Sequence, residues 1–133
     1  VPTPPDHDLL RVSSASPFEK EIGFSRAVVF ENRILVSGTA PIRPDGTCHP
    51  DPETQAARCL EIIGNTLMEA GSNLSQVVRT RMFLICREDA SAVGRAHRHV
   101  FGAFPPAATM VIVQGLLDPQ WKVEIEAEAR RAP

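Results

Sequence analysis

The eight residues Lys122 to Ala129, KVEIEAEA, alternate without a break. Val123, Ile125, Ala127 and Ala129 fall on one face of a strand, and Glu124, Glu126 and Glu128 fall on the other. Such a strand needs an apolar layer on one side and tolerates only water, cations or another polar surface on the other. That restricts the chain to a sheet with one covered face. Just upstream, Ala108 to Gln114 is β-branched and apolar (Thr109, Val111, Ile112, Val113), which predicts a second strand on a largely buried surface. Asp118-Pro119-Gln120-Trp121 reads as the hairpin loop joining the two, because proline cannot donate to a central ladder.

The elements that must cover this sheet lie upstream. Residues 1–17 hold four prolines and predict an extended arm, with a short edge strand around Leu9 to Val12. Phe24 to Phe30 and Ile34 to Ser37 predict a hairpin across Glu31-Asn32-Arg33, and Ser37-Gly38-Thr39 ends it in a glycine-containing bend. Asp51 then caps a helix that has Pro52 in its first position and Glu53 in its first turn. Ala56, Leu60, Ile63, Leu67 and Ala70 form its apolar stripe, and Gly71 stops it. Val77 to Cys86 predicts a long strand, with Val78, Thr80, Met82, Leu84 and Cys86 on one face and Val77, Arg79, Arg81, Phe83 and Ile85 on the other. A second helix is expected from Asp89 to Phe104, burying Val93, Ala96 or His97, Val100 and Phe104, before Pro105-Pro106 ends it. The order β-β-α-β-α-β-β predicts a two-layer α+β domain over residues 18–133: a mixed sheet with two helices on one face. The other face is too apolar in places and too regularly charged in others to be simply solvated. Packing against further copies in a cyclic oligomer is expected there.

Bulk properties exclude several classes. A net charge of −2 over 133 residues offers no footprint for nucleic acid or an anionic membrane. No run approaches the roughly 18 apolar residues of a membrane span. Cys48, Cys59 and Cys86 are odd in number and show no CxxC spacing, which reads as free thiols in the cytoplasm. His97 and His99, two apart on a helix, face different directions and make a poor metal pair. Neither metal nor organic cofactor is expected.

In collinear order, Val36-Ser37-Gly38-Thr39-Ala40-Pro41-Ile42, Gln55, Glu69-Ala70-Gly71, Val77-Val78-Arg79-Thr80-Arg81, Pro106-Ala107-Ala108-Thr109 and Val123-Glu124-Ile125-Glu126-Ala127 resemble the RidA (YjgF/YER057c/UK114) family. The resemblance spans about Ser16 to Arg130. It implies a chorismate-mutase-like homotrimer whose sheets form a central barrel, with ligand clefts between subunits. It also implies the chemistry of the best-understood members, hydrolysis of reactive imines and enamines to 2-keto acids and ammonia. Position by position, Ser37 and Gly38 match the Ser-Gly element, Phe24 matches an aromatic that is Tyr in many members, and Glu126 matches the late glutamate. Ala108 stands where those members carry the arginine that clamps the substrate carboxylate. This places the chain with subgroups lacking that arginine.

The candidate site therefore takes Glu126 as the group that positions or activates water, and Gly38 as an oxyanion contact through backbone N–H. Phe24, Ser37, Ala108 and Met110 complete the ligand contacts, with Arg26 or Arg81 as anion contact. Each has an ordinary structural alternative. Arg26 can be an exposed edge arginine, and Arg81 can pair with Glu126 or Glu124. Cys86 reads as a small core residue, and Trp121 as the rim of a cleft or packing at a subunit boundary. The expected ligand is a small imine, enamine or keto-acid-like metabolite, bound and, if the chemistry is retained, deaminated. A non-catalytic sensing or protein-binding trimer is the alternative. Ribonuclease activity, attached to some relatives, fits the acidic balance least.

Overall fold

In a computed structural model that describes residues 9–14 and 16–133, the alternating C-terminal segment becomes the centre of a six-stranded sheet. The part of the expected arm at residues 1–8 and 15 lies outside the described residues. The strands are β1 (Leu10–Val12), β2 (Ala27–Phe30), β3 (Arg33–Thr39), β4 (Val77–Leu84), β5 (Ala107–Ile112) and β6 (Val123–Arg130). The helices are α1 (Pro52–Glu69), between β3 and β4, and α2 (Ala90–Phe101), between β4 and β5. Across the sheet the order is β1-β2-β3-β6-β4-β5, with every pair antiparallel except β4 and β5. Among the described residues, no helix is long and apolar enough to cross a membrane.

The helices cover one face. Asp51 accepts a bond from the Thr54 N–H at 2.9 Å, which satisfies an orphan donor of the first turn of α1. Gly71, at φ 83°, takes the left-handed conformation that ends the helix and lets the Ser72 N–H return to the Leu67 carbonyl. Between these stops, Ala56, Cys59, Leu60, Ile63 and Leu67 pack into a core with Val29, Ile34, Val36, Ile125, Ala127 and Ala129. Each fully buried leucine or isoleucine contributes about 2 kcal/mol. α2 adds Val93, Ala96 and Phe101.

Several expectations are corrected. β5 and β6 are not a hairpin. The chain leaves β4, runs through α2 and returns parallel to β4 as β5, so β6 must insert between β3 and β4. β5 is thereby an edge strand, and Val111 and Ile112 are exposed in the protomer, not buried. On β4 the expected faces hold from Arg79 onward but fail before it. Two residues of β4 oppose one step of β6 between Val77↔Ala129 and Arg79↔Glu128. This bulge turns Val77 into the core and Val78 outward. α2 ends at Phe101, which fills the core position expected of Phe104; Phe104 lies beyond the helix and is 37% exposed. Cys86 follows β4, is partly exposed and donates its thiol to Glu88, so Cys59 is the core cysteine. Trp121 is buried within the protomer, edge-on to Phe18 at 6.2 Å.

One buried polar side chain ties the loops to the helix. Gln55 is fully buried; its Nε2 donates to the carbonyls of His49 (2.7 Å) and Gln120 (3.0 Å), and its Oε1 accepts from the Lys122 N–H (2.7 Å). Gln55 thus fixes the start of β6. Gln55→Ala strands all three backbone groups and is expected to cost about 3 kcal/mol, read as a lower urea midpoint with an unchanged slope. An unchanged midpoint would remove Gln55 from this role. Burial also pushes the Cys59 thiol well up. A thiol reagent at mildly alkaline pH should therefore modify Cys48 first, then Cys86, whose thiol is held up by its bond to Glu88, and Cys59 only on unfolding.

Candidate functional site

The residues singled out by sequence gather where β3 loses its regular pairing with β6. From Val36↔Ala127 to Thr39↔Ile125, β3 advances three residues while β6 advances two. The extra residue makes a bulge at Ser37-Gly38 opposite Glu126. Ser37 donates its hydroxyl to the Ser25 carbonyl (2.7 Å) and its N–H to the Arg26 carbonyl (3.0 Å). Arg26 returns the contact, donating Nη2 to the Gly38 carbonyl at 2.6 Å. The bulge is thus held from the side of β2 by both backbone and guanidinium.

Arg26 is not the exposed edge residue of the ordinary reading. It immediately precedes β2, which lies between β1 and β3, and only 9% of its surface is exposed. Its guanidinium carbon lies 5.9 Å from the Phe24 ring centroid, at the outer limit of a cation–π contact. Its Nε is buried with no partner among the described residues. Burial pulls the guanidinium's proton affinity down, while the carboxylates of Glu19 and Glu124 act in the opposite sense. Glu19, itself buried, is engaged by the Ser14 hydroxyl and N–H.

The carboxylate that meets this cluster is Glu124. The Glu124 carboxylate occupies the place a Cβ on Gly38 would take, so any larger residue there would displace it. Glu124 is partly buried, and desolvation raises its carboxyl above the ordinary value; Arg26 opposes the rise and Glu126 adds to it. Glu126 stands one pleat further on, held by Arg81 Nη1 at 3.0 Å. Arg79 pairs in the same way with Glu128 at 3.2 Å. The register sets these partners directly opposite one another, Arg81↔Glu126 and Arg79↔Glu128, whereas Phe83 lies opposite Glu124. Glu124 therefore has no cationic partner across the ladder. The alternation of β6 showed that three glutamates share a face, but only the register separates the free one from the paired two.

Beside the bulge lies an open depression of about 550 Å³ lined by Arg11, Lys20, Phe24, Val28 and Ser37 among others. Phe24, Arg26, Ser37, Gly38 and Glu124 thus form one cluster. Arg81 and Glu126 sit next to it on the same face. Ala108 and Met110 do not join them within the protomer. They pair with Thr80 and Met82, whose side chains are buried on the helix side, and Met110 packs against that core.

A family model described as Endoribonuclease L-PSP matches residues 15–131. An uncharacterised protein of Streptomyces coelicolor is 37% identical over 124 residues, covering 91% of each chain. A 2-iminobutanoate/2-iminopropanoate deaminase of Capra hircus is 31% identical over 127 residues, covering 92% of this chain and 91% of that protein. The crystal structure of a YjgF/YER057c/UK114 family member from Mycobacterium tuberculosis superposes with a TM-score of 0.85 at 36% identity, covering 92% of this chain and 98% of that one. The mixed sheet, its two helices and these matches agree: the chain belongs to the Endoribonuclease L-PSP (YjgF/YER057c/UK114) family.

Proposed function

We propose that this chain binds a small reactive imine or enamine beside the Ser37-Gly38 bulge and hydrolyses it to the corresponding carbonyl compound and ammonia. The observation that carries the reading is the Glu124 carboxylate seated on Gly38, partly desolvated and without a cross-strand cation. A carboxylate whose proton affinity is raised is a better base than an exposed one. Glu124 takes one proton from water as the oxygen bonds to the imine carbon and passes it to the nitrogen, giving a carbinolamine. It then takes the hydroxyl proton as C=O forms and delivers it to the nitrogen as the C–N bond breaks, so that ammonia leaves. The Gly38 backbone meets the developing oxygen, and Glu126, kept in place by Arg81, orients the water from the next pleat. The deaminase relative supports the same reaction class.

The open face supports an oligomer. It carries two cross-strand ion pairs and the exposed apolar side chains of Leu35 and Val111, a surface suited to another protein surface. We read it as the inner wall of a homotrimer's central barrel, with the edge strand β5 of one copy beside the bulge of the next. With alanine at position 108 the chain joins the members without the carboxylate-clamping arginine, and its three free thiols suit the cytoplasm. Light scattering at micromolar concentration should give three times 14.5 kDa. A monomeric mass would overturn the shared cleft.

One observation favours a binding-only trimer as the second reading. Arg79 and Arg81 are paired and Arg26 is turned to Gly38, so none of these three arginines is free to clamp a carboxylate. Keto-acid release from 2-iminopropanoate generated in situ decides between them. As an enzyme, the protein should lose at least about 100-fold in kcat in Glu124→Gln, with a smaller loss in Glu126→Gln. Because the base must be ionised, activity should fall as pH drops through a carboxyl pKa above the ordinary 4.5. No turnover in the parent, with turnover gained in Ala108→Arg, would favour a cleft tuned to another ligand.

A further inference from the structure

We propose that Arg26 is a positioning residue of this site, holding the Gly38 bulge from beneath while its charge keeps the Glu124 carboxylate ionised. The inference rests on the reading of Glu124 as the base. Three observations carry it. Arg26 is more than nine-tenths buried, yet its short bond goes to a backbone carbonyl, not to a carboxylate. That carbonyl belongs to Gly38, the residue against which Glu124 is seated. The guanidinium and the Glu124 carboxylate therefore stand on either side of one glycine, and each acts on the other's proton affinity.

A buried guanidinium with an orphaned Nε is a costly structural device, since an apolar residue would fill the same space without stranding a donor. Its charge gives it a role that packing alone does not. The other groups facing Glu124 leave no substitute. Phe83 across the ladder is uncharged, and Cys59 of α1 is held as a neutral thiol. Glu126 is an anion that raises Glu124 further, and its own cation, Arg81, is already engaged. Arg26 is the cation that opposes the desolvation of Glu124.

The test follows the Glu124 carboxyl resonance by ¹³C NMR titration in the parent, Arg26→Met and Arg26→Lys, beside the pH–rate profile. Arg26→Met should raise the midpoint by about one pH unit and move the acid limb of kcat upward with it. Arg26→Lys should restore most of the shift, which a role in packing alone would not do. An unchanged midpoint in Arg26→Met overturns the proposal. Should that variant fail to fold, the parent still decides. The Arg26 Nε–H resonance must move as Glu124 titrates and stop moving at that pH in Glu124→Gln, and a resonance indifferent to both overturns the proposal. Because the titration needs no turnover, an active Glu124→Gln would refute Glu124 as the base without touching the coupling.

Discussion

The insertion of β6 between β3 and β4 is the arrangement from which the rest follows. A strand paired on both sides has no edge, so each of its side chains has a cross-strand neighbour on either flank. On the helix side this gives Val123, Ile125, Ala127 and Ala129 a continuous apolar floor under α1. On the open side it sorts three chemically identical glutamates by what lies opposite them. Two meet arginines of β4; the third meets Phe83 there, and its side chain reaches Gly38 of the bulge that lies opposite Glu126. The distinct environment of Glu124 is a consequence of register, and Gln55 secures that register by fixing the backbone where β6 begins.

What could be read from sequence follows the range of the interactions involved. α1 was fully legible, because Asp51, Pro52, the apolar stripe and Gly71 all act within a few residues of one another. The alternation of β6 correctly separated its core face from its open one. Strand pairing was not legible in the same way. Ala108 to Gln114 has the composition of a buried strand, yet topology puts β5 at the sheet edge, where the protomer leaves it exposed. Bulges are similarly invisible, since one extra residue at Val78 or at Ser37-Gly38 costs nothing in local propensity and shows only against the partner strand.

The candidate site was half legible for the same reason. Phe24 and Arg26, just before β2, and Ser37 and Gly38, on the neighbouring β3, do meet. The glutamate was harder. Glu126 and Glu124 are equivalent in the alternating pattern, and a three-against-two bulge on a different strand decides which one meets the glycine. The burial of Arg26 was harder to read: the short edge strand expected around Leu9 to Val12 does form as β1, but nothing in the sequence says that it pairs with β2 and makes it an interior strand.

The charge distribution on the open face gives the last step. Arg79 and Arg81 lie on β4, one pleat apart, and each is matched by a glutamate at ion-pair distance. Partly exposed pairs of this kind contribute little to stability on their own, about 0–1 kcal/mol each. Their effect is to remove two cations and two anions from competition for a ligand. Among the groups left without an ion pair are Glu124 on the sheet and, lining the neighbouring depression, Arg11, Lys20 and the buried Glu19. A ligand with a cationic or proton-accepting nitrogen and an anionic or strongly polar group elsewhere matches that separation.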